Sequence, residues 1–182
     1  MKIIKTDFDG LVEIIPDIFQ DERGYFFESY NTPKFNDLGI ETDYVQDNQS
    51  FSKKGVLRGL HFQNNPHSQG KMVRVIKGKV LDVVVDLRPE KPTFGRHYKC
   101  LLDDVTGKML YVPEGFAHGF LCLEDSVFFY KCTSLYNKNS ESGIIWNDEY
   151  LNIDWGIKSP LISEKDLLLP SFNKIKEQIS SS

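Results

Sequence analysis

The chain predicts an all-β sandwich or barrel, and three observations carry that prediction. Aromatic residues make up 13% of the sequence, mostly Phe and Tyr, and they sit among short β-branched runs. Segments of strand character recur at fairly regular spacing, each closed by Gly, Asp or Pro turn chemistry. The length of 182 residues suits one domain, spanning 1–182, with room for a real core.

The elements follow in order. Ile3 to Ile15 mixes apolar and polar residues in short runs, as a pair of strands does. Asp21-Glu22-Arg23-Gly24 reads as a turn leading into an aromatic strand from Tyr25 to Tyr30. Thr32-Pro33 reads as the N-cap and first position of a short helix that Gly39 closes. Val45 to Phe51 and Val56 to Phe62 are the next strands. Lys71 to Ile76, Gly78 to Leu87 and Arg96 to Leu102 follow, with turns at Lys77-Gly78 and Asp103-Asp104 and a longer loop holding Pro89 and Pro92. Met109 to Val112, His118 to Leu123 and Ser126 to Leu135 complete the set. The tail carries Trp155, Pro160 and a Ser163-Glu164-Lys165-Asp166 turn. Ser171 to Ile179 suits a surface helix, and the final serines are expected to fray.

Composition narrows the function. A net charge of −4 and a pI near 5.6 argue against general nucleic-acid binding, which needs a basic surface. They leave room for a small anion held by a few local cations. The three cysteines form no CxxC pair, and there is neither a signal-peptide pattern nor an apolar run near membrane-spanning length. The chain therefore reads as cytoplasmic, with reduced and buried thiols. GxSxG, Walker and GxGxxG motifs are all missing.

The chemistry-bearing residues start with Gly55-Val-Leu-Arg-Gly-Leu-His-Phe-Gln63. A fixed cation beside an imidazole suits an enzyme that holds an anionic substrate while moving a proton. Arg58 and His61 lie three apart, however, and a regular strand turns such residues to opposite faces. They share a site only if Gly59 allows a bulge. Taken alone, His61 is by default a hydrogen-bonded rim residue. Tyr130 and Tyr136 fall on one face if their strand is regular, and the plain reading is rim packing. Lys71 and Lys131 suit solvated strand positions, and Asp166 suits a turn cap. A metal site on His61 and His118 is the competing reading. It lacks the i, i+2 histidine pair, because residue 63 is Gln, and His67 and His97 are not at ligand spacing.

Taken together, the motifs carry more than spacing. They include Asp21 to Glu28, Gln46 to Ser50, Val56 to Gln63, Gly70 to Val75, Asp82 to Arg88, Val112 to Phe120, Tyr130 to Thr133, Ile145 to Asp148 and Ser163 to Asp166. In this order, over almost the whole chain, they resemble the dTDP-4-dehydrorhamnose 3,5-epimerases, dTDP-sugar epimerases of the cupin superfamily. The resemblance implies a cupin-type jelly roll, a β-barrel or sandwich with a few short peripheral helices. It implies a homodimer whose N-terminal strands pair with the neighbouring subunit, with no metal and no cofactor. The implied substrate is dTDP-4-keto-6-deoxy-D-glucose and the product dTDP-4-keto-L-rhamnose.

The same resemblance assigns roles. His61 is the base, Asp166 orients it, Lys71 stabilises the enolate and Tyr130 is the acid. Arg23 and Arg58 suit diphosphate, while Glu28, Gln46, Asp47 and Asn48 contact the nucleotide with Phe26 packing nearby. Tyr136 stacks on thymine, and His118, Glu141 and Lys165 complete the sugar and phosphate contacts. Trp155-Gly156 and Asp148-Glu149 depart from the family's usual Trp-Pro and Asp-Pro, which leaves the path of the C-terminal loop open. Three alternatives stay in view: a single-carbon 3- or 5-epimerase, a non-catalytic sugar-nucleotide-binding cupin, and a metal-dependent cupin enzyme.

Overall fold

The computed structural model describes residues 1–40 and 43–180. The strands are β1 (Lys2–Lys5), β2 (Val12–Ile15), β3 (Phe19–Asp21), β4 (Gly24–Phe26), β5 (Gln46–Ser52), β6 (Leu57–Gln63), β7 (Lys71–Lys77), β8 (Lys79–Asp86), β9 (His97–Asp103), β10 (Met109–Val112), β11 (Phe116–Cys122), β12 (Ser126–Cys132) and β13 (Glu141–Gly143). Three short helices are α1 (Thr32–Asp37), α2 (Glu164–Leu167) and α3 (Phe172–Ser180). A six-stranded sheet runs β1-β2-β10-β7-β12-β5 and a five-stranded sheet runs β13-β6-β11-β8-β9. The β3–β4 hairpin stands apart. Every strand pair is antiparallel, so the chain forms the expected cupin-like β fold.

Side-chain alternation builds three apolar layers. Between the sheets lie Val73, Val75, Val80, Val84, Leu110, Phe116, Phe120 and Phe128. Behind the five-stranded sheet, Val83, Val85, Ala117 and Leu121 pack on Trp155, Phe172 and Ile175 from the C-terminal segment. Behind the six-stranded sheet, Ile14, Met72 and Met109 pack on Phe35 of α1 and on Ile40. This is why β11 is buried along its whole length and β8 nearly so. Both faces of those strands are covered, and the Val-rich sequence of β8 reflects it.

Most expected strands lie within a residue or two of their predicted bounds, and several elements differ. The strand begun at Tyr25 stops at Phe26, because β3 and β4 have no further strand to pair with. The α1 cap is Asn31, not Thr32: Asn31 is extended, and its Oδ1 accepts from Lys34 N at 3.3 Å. Gly39 ends that helix with φ +78°, as anticipated. Strand β12 ends at Cys132, so Tyr136 lies beyond it and shares no strand face with Tyr130. Strands β3 and β13 had no counterpart in the sequence reading, both being three residues long. The predicted surface helix is α3, which buries Phe172 and Ile175. The last two serines lie outside the described residues. The three cysteines are buried and unpaired by disulfides.

Candidate active site

Strand β6 is irregular where the spacing requires it. His61 pairs with His118 and Arg58 with Phe120, so three steps on β6 match two on β11. The extra residue falls at Gly59-Leu60, and the bulge brings Arg58 and His61 to the same cavity. Only glycine fits here. Gly59 has φ +122°, and a Cβ would stand 2.5 Å from Gly119 Cα and 2.8 Å from His118 O.

The cavity opens between the two sheets and holds about 560 Å³. Its polar lining includes Arg58, His61, Lys71, His118, Tyr130 and Lys165 with Asp166, and Phe120 and Phe128 supply apolar wall. The lining joins residues far apart in sequence. β6 and β11 bring the imidazoles, β7 and β12 the lysine and phenol from the facing sheet, and α2 the aspartate.

Asp166 sits in helix α2 rather than a plain turn. Ser163 caps that helix, its Oγ accepting from Asp166 N at 3.1 Å. Asp166 is buried, 4% exposed as a residue. Its Oδ1 lies 2.8 Å from His61 Nε2, and Oδ2 accepts from Gly59 N at 3.2 Å. Burial alone would raise its pKa. The His61 hydrogen bond and charge outweigh that, with help from Gly59 N–H and Ser163, and hold it below the usual carboxylate range. A carboxylate that only accepts fixes hydrogen on Nε2 and leaves the lone pair on Nδ1.

Lys71 lies deep in the cavity, and burial lowers its pKa. The negative potential of Cys132, Asp82 and Glu141 works against that fall and favours the ammonium. Burial raises the Tyr130 phenol, Cys132 adding to the effect and Arg58 opposing it, so the hydroxyl keeps its proton near neutrality. Arg58 is steadied by its Nε donating to Ser52 Oγ at 2.9 Å.

A second group stands beside this cavity. Glu141 Oε2 accepts from Tyr136 Oη at 2.8 Å and from Lys165 Nζ at 2.7 Å. Gln46 Oε1 accepts from Tyr136 N at 2.9 Å, and Gln46 Nε2 donates to Asn48 Oδ1 at 3.1 Å. Asn48 Nδ2 reaches Cys132 Sγ at 3.5 Å. Asp47 points the other way along β5. It pairs with Lys131 at 2.9 Å on the outer face, where that ammonium also lies over Tyr30 and Phe129. Lys131 is thus partnered rather than simply solvated.

Besides Asp47, three expected ligand residues lie away from the cavity. Arg23 is 85% exposed at its side chain and pairs with Asp21 at the tip of the β3–β4 hairpin. Phe26, on the same hairpin, is 67% exposed. Glu28 pairs with Lys34 of α1. Sequence reasoning also passed over three residues that shape the site: Ser52, Ser163 and Asp82. Asp82 had an available signal, a charge inside the apolar run Val80 to Leu87. Among the described residues no cluster of three His, Cys, Asp or Glu is placed to hold a metal ion.

An imidazole tied to a buried carboxylate, in one cavity with a lysine and a protonated phenol, supplies the groups that taking a proton from carbon and holding the charge left behind would require. Similarity over almost the whole chain places the protein among the isomerases. Residues 5–174 match the family described as dTDP-4-dehydrorhamnose 3,5-epimerase. The epimerase of that name from Shigella flexneri is 46% identical over 169 residues, 92% of this chain and 93% of that protein. The crystal structure of the Elizabethkingia anophelis enzyme superposes with TM-score 0.91 at 47% identity, covering 96% of this chain and 97% of that one. A Legionella pneumophila dTDP-6-deoxy-D-glucose-3,5-epimerase, solved with dTDP-4-keto-L-rhamnose, gives TM-score 0.92 at 42% identity, covering 98% and 96%. The chain belongs to the dTDP-4-dehydrorhamnose 3,5-epimerase family.

Proposed function

We propose that this isomerase converts dTDP-4-keto-6-deoxy-D-glucose into dTDP-4-keto-L-rhamnose, supplying L-rhamnose for polysaccharide, in the cytoplasm and without a cofactor. The observation that carries the reading is the His61–Asp166 pair set in one cavity with Lys71 and Tyr130. The sugar protons on C3 and C5 are acidic because each is α to the C4 ketone. His61 Nδ1 removes one, and Asp166 stabilises the imidazolium that forms. The charge moves to the C4 oxygen, where the Lys71 ammonium meets it. Tyr130 returns a proton on the opposite face; the imidazolium then gives its proton to solvent and the phenolate regains one, and the ring reorients so that the same pair serves the second carbon.

Arg58 and Lys165 take the diphosphate, since guanidinium and ammonium suit its oxygens. Tyr136, Gln46 and Asn48 form the nucleoside end beside Glu141. The exposed hairpin has no role in its own cavity, and a homodimer gives it one. A second copy would bring its Arg23 and Phe26 to the nucleotide. Proton NMR of dTDP-4-keto-6-deoxyglucose with the protein in heavy water tests the reading. Deuterium at both C3 and C5, with the L-rhamno product trapped by a reductase, is the expected result. Deuterium at one carbon would make it a single-carbon epimerase. Tight dTDP binding without exchange would make it a binding protein.

A further inference from the structure

Strand β8 turns Val80, Asp82 and Val84 towards the space between the sheets. Two are ordinary core valines, and the third is a carboxylate with 0% exposure. Its Oδ2 lies 2.9 Å from His118 Nε2, and among the described residues its Oδ1 has no hydrogen-bond partner. Burying a half-satisfied carboxylate opposes folding, and an apolar residue would pack there at less cost. The fold therefore gives no reason for Asp82, so the reason is sought in what it holds.

It holds a second imidazole in the cavity. His118 pairs in register with His61 on the neighbouring strand, so the two rings stand side by side. Both are built alike, each with Nε2 on a buried aspartate. The His118 ring is also stacked on Phe128 at 6.0 Å and flanked by Phe120 at 6.5 Å. Stacking fixes its plane, and the carboxylate fixes which nitrogen carries hydrogen. The charge of Asp82 also favours the Lys71 ammonium, against the larger effect of burial, and raises the neighbouring Cys100 thiol, where burial is the main cause.

We propose that Asp82 is a positioning residue for the reaction, committing His118 Nε2 to its carboxylate so that Nδ1 is presented to the sugar. This rests on the epimerase reading above. The matched arrangement of the two pairs is the observation behind it: His61 and His118 are oriented by the same device, one from α2 and one from β8.

Two measurements test it. Long-range proton–nitrogen correlation NMR on protein with nitrogen-15 histidine reads the tautomer of His118, assigned with His118→Gln. Hydrogen on Nε2 in the wild type, replaced by a mixture in Asp82→Asn, is expected. The same His118 signals in both proteins would overturn the proposal. The second measurement is solvent-deuterium exchange at C3 and C5 for Asp82→Asn, His118→Asn and the double variant. Asp82→Asn should lower kcat roughly 100-fold with KM within about three-fold of wild type. The double variant should be no slower than His118→Asn, because Asp82 acts through that ring. A double loss equal to the product of the single losses would assign Asp82 a purely structural role and overturn the proposal. Asp82→Ser replaces the amide variant if that does not fold. A wild-type protein that exchanges neither carbon would refute the epimerase reading, and the tautomer measurement would still decide whether Asp82 holds His118.

Discussion

Replacing Asp166 with Asn probes the site with the least change in shape. Both carboxylate oxygens are in use, one on His61 Nε2 at 2.8 Å and the other on Gly59 N at 3.2 Å. An amide has one acceptor and one donor, so it cannot serve both. If its oxygen stays on Gly59 N–H, its NH₂ faces Nε2 and forces hydrogen onto Nδ1. The base then has no lone pair towards the sugar. If the oxygen turns to His61 instead, NH₂ meets N–H, and a buried donor left unpaired costs about 1–3 kcal/mol. The amide therefore settles in the first orientation, and the catalytic cost is that of a wrong tautomer, roughly 10⁴ in kcat by the serine-protease precedent. KM and dTDP affinity should change little, since the Asp166 carboxylate makes none of the proposed nucleotide contacts. The assay is the deuterium exchange rate at C3 and C5 in heavy water, beside a dTDP titration. Exchange within ten-fold of wild type, in a variant that binds dTDP normally, would refute the assignment of His61 Nδ1 as the base.

Further outcomes follow from the same geometry. Tyr130→Phe should lose epimerised product more than it loses exchange, because abstraction precedes the step it impairs; equal loss of both, read in one NMR time course, would remove it as the acid. Gly59→Ala should destabilise the fold by about 3 kcal/mol or more, combining an overpacked bulge with a strained positive φ, and a melting temperature near wild type would contradict the close approach. Asp86 is fully buried and accepts from Arg88 Nε, Arg88 NH2 and Thr93 Oγ1 at 2.9, 2.7 and 2.6 Å. Asp86→Ala should cost about 3–5 kcal/mol by denaturant unfolding, with Arg88 losing its carboxylate partner. The folded-state pKa values of Asp86, Asp166 and Glu141 are all depressed. The stability they contribute is therefore present above the ordinary carboxylate range, near pH 4, and lost as pH falls below it. Unfolding free energy should drop on acidification, and Asp86→Asn should flatten that acid limb.

Local chemistry made most of the β framework legible. Turns at Gly24 and Gly78, the helix stop at Gly39 and the Val-rich run of β8 are short-range signals, and each appears where the residues place it. The need for an irregularity at Gly59 was also legible, because alternation has a fixed period and two polar residues broke it. The misses have physical causes. Three-residue strands carry too little pattern to be seen, and β13 exists only because β6 offers it an edge. Whether Asn31 or Thr32 caps α1 depends on backbone angles that composition does not encode. Tyr136 could not be separated from the β12 face until the end of that strand was known.

The sequence by itself determined the chain's class, most of its strands in order and the identities of the groups proposed to carry the chemistry. Only the tertiary structure decided their geometry. Asp166 is 105 residues from His61, and Asp82 is 36 from His118, so no local pattern can pair them. The pairing follows from packing two sheets and folding the C-terminal segment back over one of them. Burial then sets what each group does. It lowers the Lys71 pKa, keeps the proton on Tyr130 and leaves one Asp82 oxygen unsatisfied, because desolvation depends on neighbours brought from every part of the chain.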